Sequence, residues 1–263
     1  MSVLNHLESV SSNLVLSSTE KSSISTSIST IKTRIDSYFG TDVKEHFQFG
    51  SYTRDTILPR KYDDKSDVDY MVIFKNPNNY KPQTLLGWLK DFAEKKYSTS
   101  EIYQSYPTMV LELSHIKFEL VPAIKDVWGT ISIPSPSSSY SDWMTTDPNG
   151  FNTSLINANT NNSYKIKPLI RLMKYWNVQK ASRGYSSFSL EKWIVDNYYF
   201  NCSNLKEYFF KCIEDIGYSD NAPQYLKTAV DNAKAVVKNV KQYEKDGYTT
   251  SAETEIKKII PEL

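Results

Sequence analysis

The sequence has few cysteines and few histidines, and both shortages exclude classes of protein. Cys202 and Cys212 are the two cysteines of the chain, and their separation is not typical of metal ligands. We therefore expect reduced thiols, as in a cytoplasmic protein, rather than a disulfide scaffold. The three histidines are scattered and do not form the clusters that bind structural zinc.

Long apolar runs are also missing. No stretch approaches the roughly 20 apolar residues that a membrane-spanning helix needs. The first residues, MSVLNHLESVSSNL, lack the basic start and the apolar core of a secretory signal. We therefore expect a cytoplasmic protein that has no membrane partner.

An excess of charge of one sign is absent as well. The 31 basic and 30 acidic residues leave a formal net charge of +1. This balance argues against a protein that coats long duplex nucleic acid, although it allows a local basic groove. A chain of 263 residues with 40% hydrophobic and 23% charged residues is typical of a folded protein with one large domain or two lobes.

A long helix is predicted over residues 18–39. Ser17 and Glu20 have the spacing of a capping box, and Gly40 stands where such a helix would end. Isoleucines follow at helical spacing and predict that one face docks on a core. These isoleucines are Ile24, Ile28, Ile31 and Ile35.

The remaining pattern predicts an α+β fold with a mixed sheet followed by a helical lobe. Strands are predicted at 46–50, 67–74, 102–106, 108–114 and 116–124. Helices are predicted at 82–96, 164–180, 187–200, 204–216 and 222–246, and a long loop at 132–162. The predicted domains are a catalytic lobe with its N-terminal helix, 1–160, and a helical lobe, 161–263, with a ligand cleft between them.

Two aspartates begin the second predicted strand. Side chains at positions i and i+2 of a strand share a face, so Asp67 and Asp69 should lie side by side. Such a pair repels unless a cation lies between its members, and Mg²⁺ binds carboxylate oxygens readily. An Asp-x-Asp pair by itself is also common on solvated strand faces.

A third carboxylate, Glu119, lies in the strand predicted at 116–124. Alternation puts Lys117, Glu119 and Val121 on one face of that strand. If it neighbours the strand with Asp67 and Asp69, three carboxylates converge and can hold two metal ions about 3.5–4 Å apart. One ion would bind a nucleoside triphosphate, and the other, helped by Glu119, would activate a hydroxyl that attacks the α-phosphorus.

Gly50 and Ser51 precede this strand and form a candidate phosphate-binding turn. Backbone N–H groups of a Gly-Ser turn that opens a helix can bind phosphate oxygens. Gly50 allows a close approach of the backbone, and the Ser51 hydroxyl adds a donor. A lone Gly-Ser pair is more often an ordinary turn.

Together these motifs resemble the nucleotidyltransferase superfamily of DNA polymerase β. The sequence is more closely similar to the bacterial cyclic-oligonucleotide synthases, the CD-NTase or SMODS type of anti-phage defence. That similarity rests on two segments of the helical lobe, 167–177 with the sequence KPLIRLMKYWN and 186–191 with the sequence SSFSLE. The chain departs from the family pattern at Asp55, where many relatives have glycine, and at Glu119, where aspartate is common.

The resemblance implies further site residues in the helical lobe. Lys174 and Ser187 match the positions that hold the triphosphate, and Phe188 matches the aromatic that stacks on a base. It also implies two Mg²⁺ ions, with Mn²⁺ as a possible substitute. The residues alone leave alternatives open: Lys174, with Lys167 and Arg171, could form a solvated face, Ser187 could cap a helix, and Phe188 could belong to the core.

The leading functional hypothesis is a Mg²⁺-dependent nucleotidyltransferase. It would use nucleoside triphosphates to make a cyclic or short linear oligonucleotide messenger, with a separate effector protein encoded nearby. A second hypothesis changes the acceptor, so that the enzyme polymerises (deoxy)nucleotides without a template or transfers one onto a nucleic-acid end or a protein. A third is a catalytically silent nucleotide sensor or scaffold.

Overall fold

The computed structural model describes residues 2–76, 78–105, 107–136 and 142–263. Their contacts divide the chain into two compact units, which we call the sheet unit and the helical unit. The sheet unit comprises Ser17–Arg60 and Lys65–Phe151. The helical unit comprises Met1–Leu16, Lys61–Asp64 and Asn152–Leu263. The predicted domain boundary between residues 160 and 161 stays a prediction.

The sheet unit is built on a mixed sheet, as the sequence predicts. Its described strands are β1 (Val43–Phe49), β2 (Asp67–Phe74), β3 (Glu101–Ser105), β4 (Thr108–Glu112), β5 (Lys117–Lys125), β6 (Ile131–Pro134) and β7 (Trp143–Thr146). The order is β1-β2-β5-β4-β3, and β6 pairs with β5 and β7. β2 and β5 are parallel, whereas the other pairs are antiparallel.

The central strands β2 and β5 carry the core of the sheet unit. Their fully buried side chains include Val68, Phe118 and Leu120. The first residue of each strand, in contrast, is charged and only half-buried. β5 also contacts the helix α4 (Pro82–Lys96), whose apolar side chains are buried. The sheet core therefore begins directly beside the charged ends of both strands.

The helix predicted over 18–39 is confirmed as α2 (Ser18–Phe39). The Ser17 backbone N–H donates to Glu20 Oε2 over 2.8 Å, and the Glu20 N–H donates to Ser17 Oγ over 3.2 Å. This reciprocal capping box satisfies backbone donors that a helix start otherwise leaves unpaired. Ile24, Ile31 and Ile35 are buried, so the isoleucine face docks as predicted.

The helical unit contains the predicted C-terminal helices and three described helices that the sequence analysis missed. Its helices are α1 (Val3–Asn13), α5 (Gly150–Asn161, which begins in the sheet unit), α6 (Ile166–Gln179), α7 (Ser187–Asp196), α8 (Leu205–Asp215), α9 (Gln224–Lys245) and α10 (Thr249–Ile256). The missed helices are α1, which packs on α6 and α8, α10, which packs on α9, and α5, which lies in the stretch predicted as a loop. No described helix is long and apolar enough to cross a membrane.

The long loop predicted at 132–162 is wrong over much of its length. β6 and β7 form an antiparallel pair there, with Ile131 opposite Thr146, and α5 follows. Both strands have four residues and are largely half-exposed, so their apolar pattern is too short to stand out from the surrounding serines, prolines and threonines. Residues 137–141 of this stretch, and Tyr106 at the end of the predicted strand 102–106, lie outside the described residues.

Candidate active site

The three predicted carboxylates lie on the two central strands of the sheet unit. β2 and β5 run parallel in a register that places Asp69 opposite Glu119 and Asp67 opposite Lys117. Paired residues of neighbouring strands share a face, and so do residues two apart. The predicted adjacency of these two strands is therefore confirmed, and all three carboxylates belong to one face at one end of the sheet.

Lys117 lies among these carboxylates. Its Nζ is 3.4 Å from Asp67 Oδ2 and 3.0 Å from Glu119 Oε1. Burial lowers the pKa of the Lys117 ammonium, but the charges of Asp67 and Glu119 outweigh burial, so that pKa lies above its usual value. Lys117 is therefore a permanent cation beside two of the three candidate ligands.

Asp67 is electrostatically strained in this position. Burial, and next the negative charge of Glu119, raise the pKa of the Asp67 carboxyl to about 6, although Lys117 opposes the shift. A cation bound at this carboxylate would relieve both effects. The site therefore favours positive charge beyond what Lys117 supplies.

Gly50 brings the turn after β1 against Asp69. The residue has a φ of +77°, and a Cβ added to it would lie 1.8 Å from Asp69 Oδ2. Only a glycine allows both this backbone conformation and this approach. Ser51 follows as the second residue of the short helix α3 (Gly50–Thr53) and is half-buried. The predicted Gly-Ser turn is thus packed on a predicted metal ligand.

The donor set suits a hard divalent cation. Three carboxylates on one face offer the oxygen ligands that Mg²⁺ prefers, and the raised pKa of Asp67 marks a need for positive charge. Within the described part of the chain, no three His, Cys, Asp or Glu side chains are arranged so that they could hold one ion as they stand. For all three carboxylates to hold one ion the side chains must move, and Lys117 lies between Asp67 and Glu119.

The helical unit places Lys174 in its interior. Lys174 lies on α6 and pairs with Glu191 of α7, and the two side chains are 6% and 0% exposed. Arg171 is also buried, so the alternative of a solvated basic face is wrong for these two residues. A buried ion pair of this kind fixes the position of its lysine.

The start of α7 presents the other two predicted residues of the helical unit. Ser187 is the first residue of the helix and is exposed, while Ser186 is the cap whose Oγ accepts the Ser189 N–H over 3.2 Å. The alternative that Ser187 caps the helix is therefore wrong. Phe188 is 52% exposed, which rules out the core alternative for its side chain.

Comparison with known proteins identifies the family. Residues 1–159 match the family model described as Second Messenger Oligonucleotide or Dinucleotide Synthetase domain, SMODS. The chain belongs to the SMODS family. The resemblance to cyclic-oligonucleotide synthases expected from the sequence is thereby confirmed.

Known relatives agree with this assignment. The chain is similar to a Cyclic AMP-AMP-AMP synthase of Acinetobacter sp., with 25% identity over 176 residues, which are 65% of this chain and half of the relative. It has the fold of E. coli MS115-1 CdnC solved with ATP, with a TM-score of 0.73, 14% identity and 98% of each chain covered. The CdnC:HORMA-deltaN complex gives a TM-score of 0.68 at 15% identity, over 97% of this chain and 96% of that chain.

The sequence analysis did not single out two residues that contact the candidate site residues. Strand alternation already placed Lys117 on the face of Glu119, but a lysine was not expected between metal ligands. Glu191 ends the segment 186–191 that carried the family resemblance, yet no role was inferred for it. Its pairing with Lys174 depends on how α7 packs against α6, which the periodicity of a single helix does not report.

Proposed function

We propose that this chain is a nucleotidyltransferase that makes a cyclic or short linear oligonucleotide messenger from nucleoside triphosphates, with Mg²⁺ as its cofactor. The observation that carries the proposal is the register of β2 and β5, which sets Asp69 beside Glu119 with Asp67 on the same face. The match to the synthetase family supports the reaction class.

Asp67, Asp69 and Glu119 would hold two metal ions, and Mn²⁺ could replace Mg²⁺. When bound, such ions neutralise phosphate charge and lower the pKa of the attacking hydroxyl. Glu119 would help to orient that hydroxyl toward the α-phosphorus. The hydroxyl would lose its proton to solvent as its oxygen bonds to the α-phosphorus, and the bond from the α-phosphorus to the oxygen bridging to the β-phosphate would break, so that pyrophosphate leaves. The site residues thus act by positioning and charge rather than by covalent chemistry.

Further contacts to the nucleotide are assigned from the family pattern and local geometry. Gly50 and Ser51 offer backbone N–H groups and a hydroxyl beside Asp69, which suits phosphate oxygens. Lys174 and Ser187 would bind the triphosphate. The ring of Phe188, which is 52% exposed, would stack on a base.

The proposed biological role is signalling in anti-phage defence in the cytoplasm. The Acinetobacter relative is named for a cyclic adenine trinucleotide, and a solved relative forms a complex with a HORMA protein. A messenger of this kind needs a receptor, so we include a separate effector protein as a partner. The near-neutral charge disfavours a requirement for long duplex nucleic acid.

The experiment that tests this function is product analysis. The protein is incubated with Mg²⁺ and all four ribonucleotides, and in parallel with deoxyribonucleotides, and the products are identified by mass spectrometry. We expect pyrophosphate and a cyclic or short linear oligonucleotide. Long untemplated polymers or nucleotide attached to protein would favour a different acceptor, and nucleotide binding without any turnover would favour a silent sensor.

A further inference from the structure

We propose that Lys117 is an internal cation that holds Asp67 and Glu119 together in the metal-free protein and competes with metal ions for them. This inference rests on the proposed metal site. It assigns to Lys117 a positioning role, in which the lysine acts through the carboxylates rather than on the substrate.

The sheet register brings Lys117 and the two carboxylates together. Lys117 lies opposite Asp67 on the neighbouring strand and two residues before Glu119 on its own strand, so all three side chains leave the sheet on one face. Its Nζ lies 3.4 Å from Asp67 Oδ2 and 3.0 Å from Glu119 Oε1. An ammonium at these distances neutralises part of the repulsion between the two carboxylates.

The ion pairs are shielded from solvent. The side chains of Lys117, Asp67 and Glu119 are 13%, 27% and 21% exposed. Screening is weak at such partly buried positions, so the ammonium and a divalent cation beside the same oxygens would repel strongly. Metal binding therefore requires the ammonium to move away from at least one carboxylate.

The chemistry of lysine suits a displaceable cation. Its ammonium is a compact charge on a flexible four-carbon stem, and it donates without the fixed fork of arginine. Once displaced, the ammonium can pair with an incoming anion such as a triphosphate. Lys117 would thus weaken the binding of a metal ion alone to the protein. It would have a smaller effect on a metal ion that binds together with a nucleotide.

The test measures metal affinity and metal-free stability rather than activity. Binding of Mn²⁺ alone is followed by electron paramagnetic resonance for the wild type and for Lys117→Met, which keeps the apolar stem and removes the charge. We expect the variant to bind Mn²⁺ about tenfold more tightly because a competing charge is gone. In EDTA we expect its unfolding temperature to fall by about 2–4 °C, because Asp67 and Glu119 then repel.

The chain offers a matched control on the same strand. Lys125 also lies on β5 and pairs with Glu45 over 2.6 Å, away from the carboxylate cluster. Lys125→Met removes an ion pair of the same type and should leave Mn²⁺ affinity unchanged. Lys117→Arg, which keeps the charge but adds the fixed fork of arginine, should bind Mn²⁺ no more tightly than the wild type, and Lys117→Gln repeats the test if the methionine variant does not fold.

The outcomes separate this inference from the proposed function. If Asp69→Asn binds Mn²⁺ as tightly as the wild type, the carboxylates are not the metal site and the proposed function fails. If Asp69→Asn loses Mn²⁺ but Lys117→Met and Lys117→Gln bind it no more tightly than the wild type, the role of Lys117 is overturned and the proposed site stands.

Discussion

At the residue scale, the carboxylate of Asp69 lies directly against the α-carbon of Gly50. A methyl group at Gly50 would overlap Asp69 Oδ2, and the backbone there has a positive φ. The side chain that could bind metal and the turn that could bind phosphate are thus packed on each other. The Gly-Ser pair and the aspartates are one structural feature although Asp67 follows Gly50 by 17 positions in the sequence.

Gly50→Ala should therefore damage the site and the fold together. We expect a loss of about 2 kcal/mol or more in the free energy of unfolding, from the strained backbone and the displaced carboxylate. Urea unfolding measures this loss of stability. The control is Gly87→Ala in the interior of α4, where an added Cβ meets nothing within 4 Å. Since alanine favours helices, that variant should gain about 0.5–1 kcal/mol. Equal effects of both substitutions would contradict the account.

Asp67 makes the metal-free protein sensitive to pH. Its pKa in the folded state is about 6 against the usual 3.8, so the folded state binds the proton more tightly than the unfolded chain. The stabilisation from this carboxyl is present in full below about pH 4 and is lost as the pH rises through about 6. In EDTA, the wild type should lose stability over this interval.

Asp67→Asn should remove that loss. At pH 7.5 in EDTA we expect the variant to be more stable than the wild type by about 1–2 kcal/mol, with little difference near pH 4. Added Mg²⁺ should stabilise the wild type and not the variant, since binding to the folded state raises stability. Urea unfolding at both pH values, with and without Mg²⁺, measures this. A variant that is less stable than the wild type at pH 7.5 in EDTA would refute the strain at Asp67.

At the scale of elements, the sequence was sufficient to predict features that depend on neighbouring residues. Ser17, Glu20 and Gly40 predicted both ends of α2 because caps act within one helical turn. Strand alternation separated Lys117 and Glu119, which are half-buried, from Phe118 and Leu120, which are fully buried on the opposite face of β5. The pairing of β2 with β5 could be stated only as a condition, because strand neighbours far apart in sequence are chosen by the whole sheet.

The elements that were missed have weak local signals. β6 and β7 are four residues each and largely half-exposed, and they are stabilised by pairing with each other and with β5. The interior position of Lys174 was missed for a related reason. A basic residue on a helix is normally solvated, and only the packing of α7 supplies Glu191 as its partner.

The buried pair between α6 and α7 should be essential to the helical unit. Glu191→Gln removes the carboxylate that pairs with the buried Lys174 ammonium, and we expect a loss of about 3 kcal/mol in the free energy of unfolding. The double variant Lys174→Met with Glu191→Met should recover much of that stability, while nucleotide binding stays impaired if Lys174 holds the triphosphate. Urea unfolding and nucleotide titration separate the two roles. A fully stable Glu191→Gln variant would contradict the pairing.

At the scale of the whole molecule, the chain passes repeatedly between its two units. The short segment Lys61–Asp64 belongs to the helical unit although the sheet unit contains the chain on both sides of it. Within the helical unit, Arg183 Nη2 lies 2.7 Å from Asp63 Oδ1, and the Gln179 amide donates to the Tyr62 carbonyl over 3.3 Å. Sequence patterns predicted the fold class and the order of elements, but such an excursion of four residues leaves no periodic signal.

The proposed site residues are likewise distributed over both units. Asp67, Asp69, Glu119, Gly50 and Ser51 lie in the sheet unit, and Lys174, Ser187 and Phe188 lie in the helical unit. The residues of the sheet unit are grouped by the structure itself, since strand register and close packing bring them together. The family pattern is what assigns the second set to the same reaction.

The most direct test of the central claim is pyrophosphate release by the wild type and by Asp69→Asn with Mg²⁺ and nucleoside triphosphates. The account predicts release by the wild type and a loss of about 100-fold or more in the variant, because charge stabilisation by bound metal is worth several kcal/mol. Glu45→Gln, which alters a strand carboxylate outside the cluster, should keep the wild-type rate. Full activity of Asp69→Asn, or no release by the wild type with any ribonucleotide or deoxyribonucleotide mixture, would contradict it.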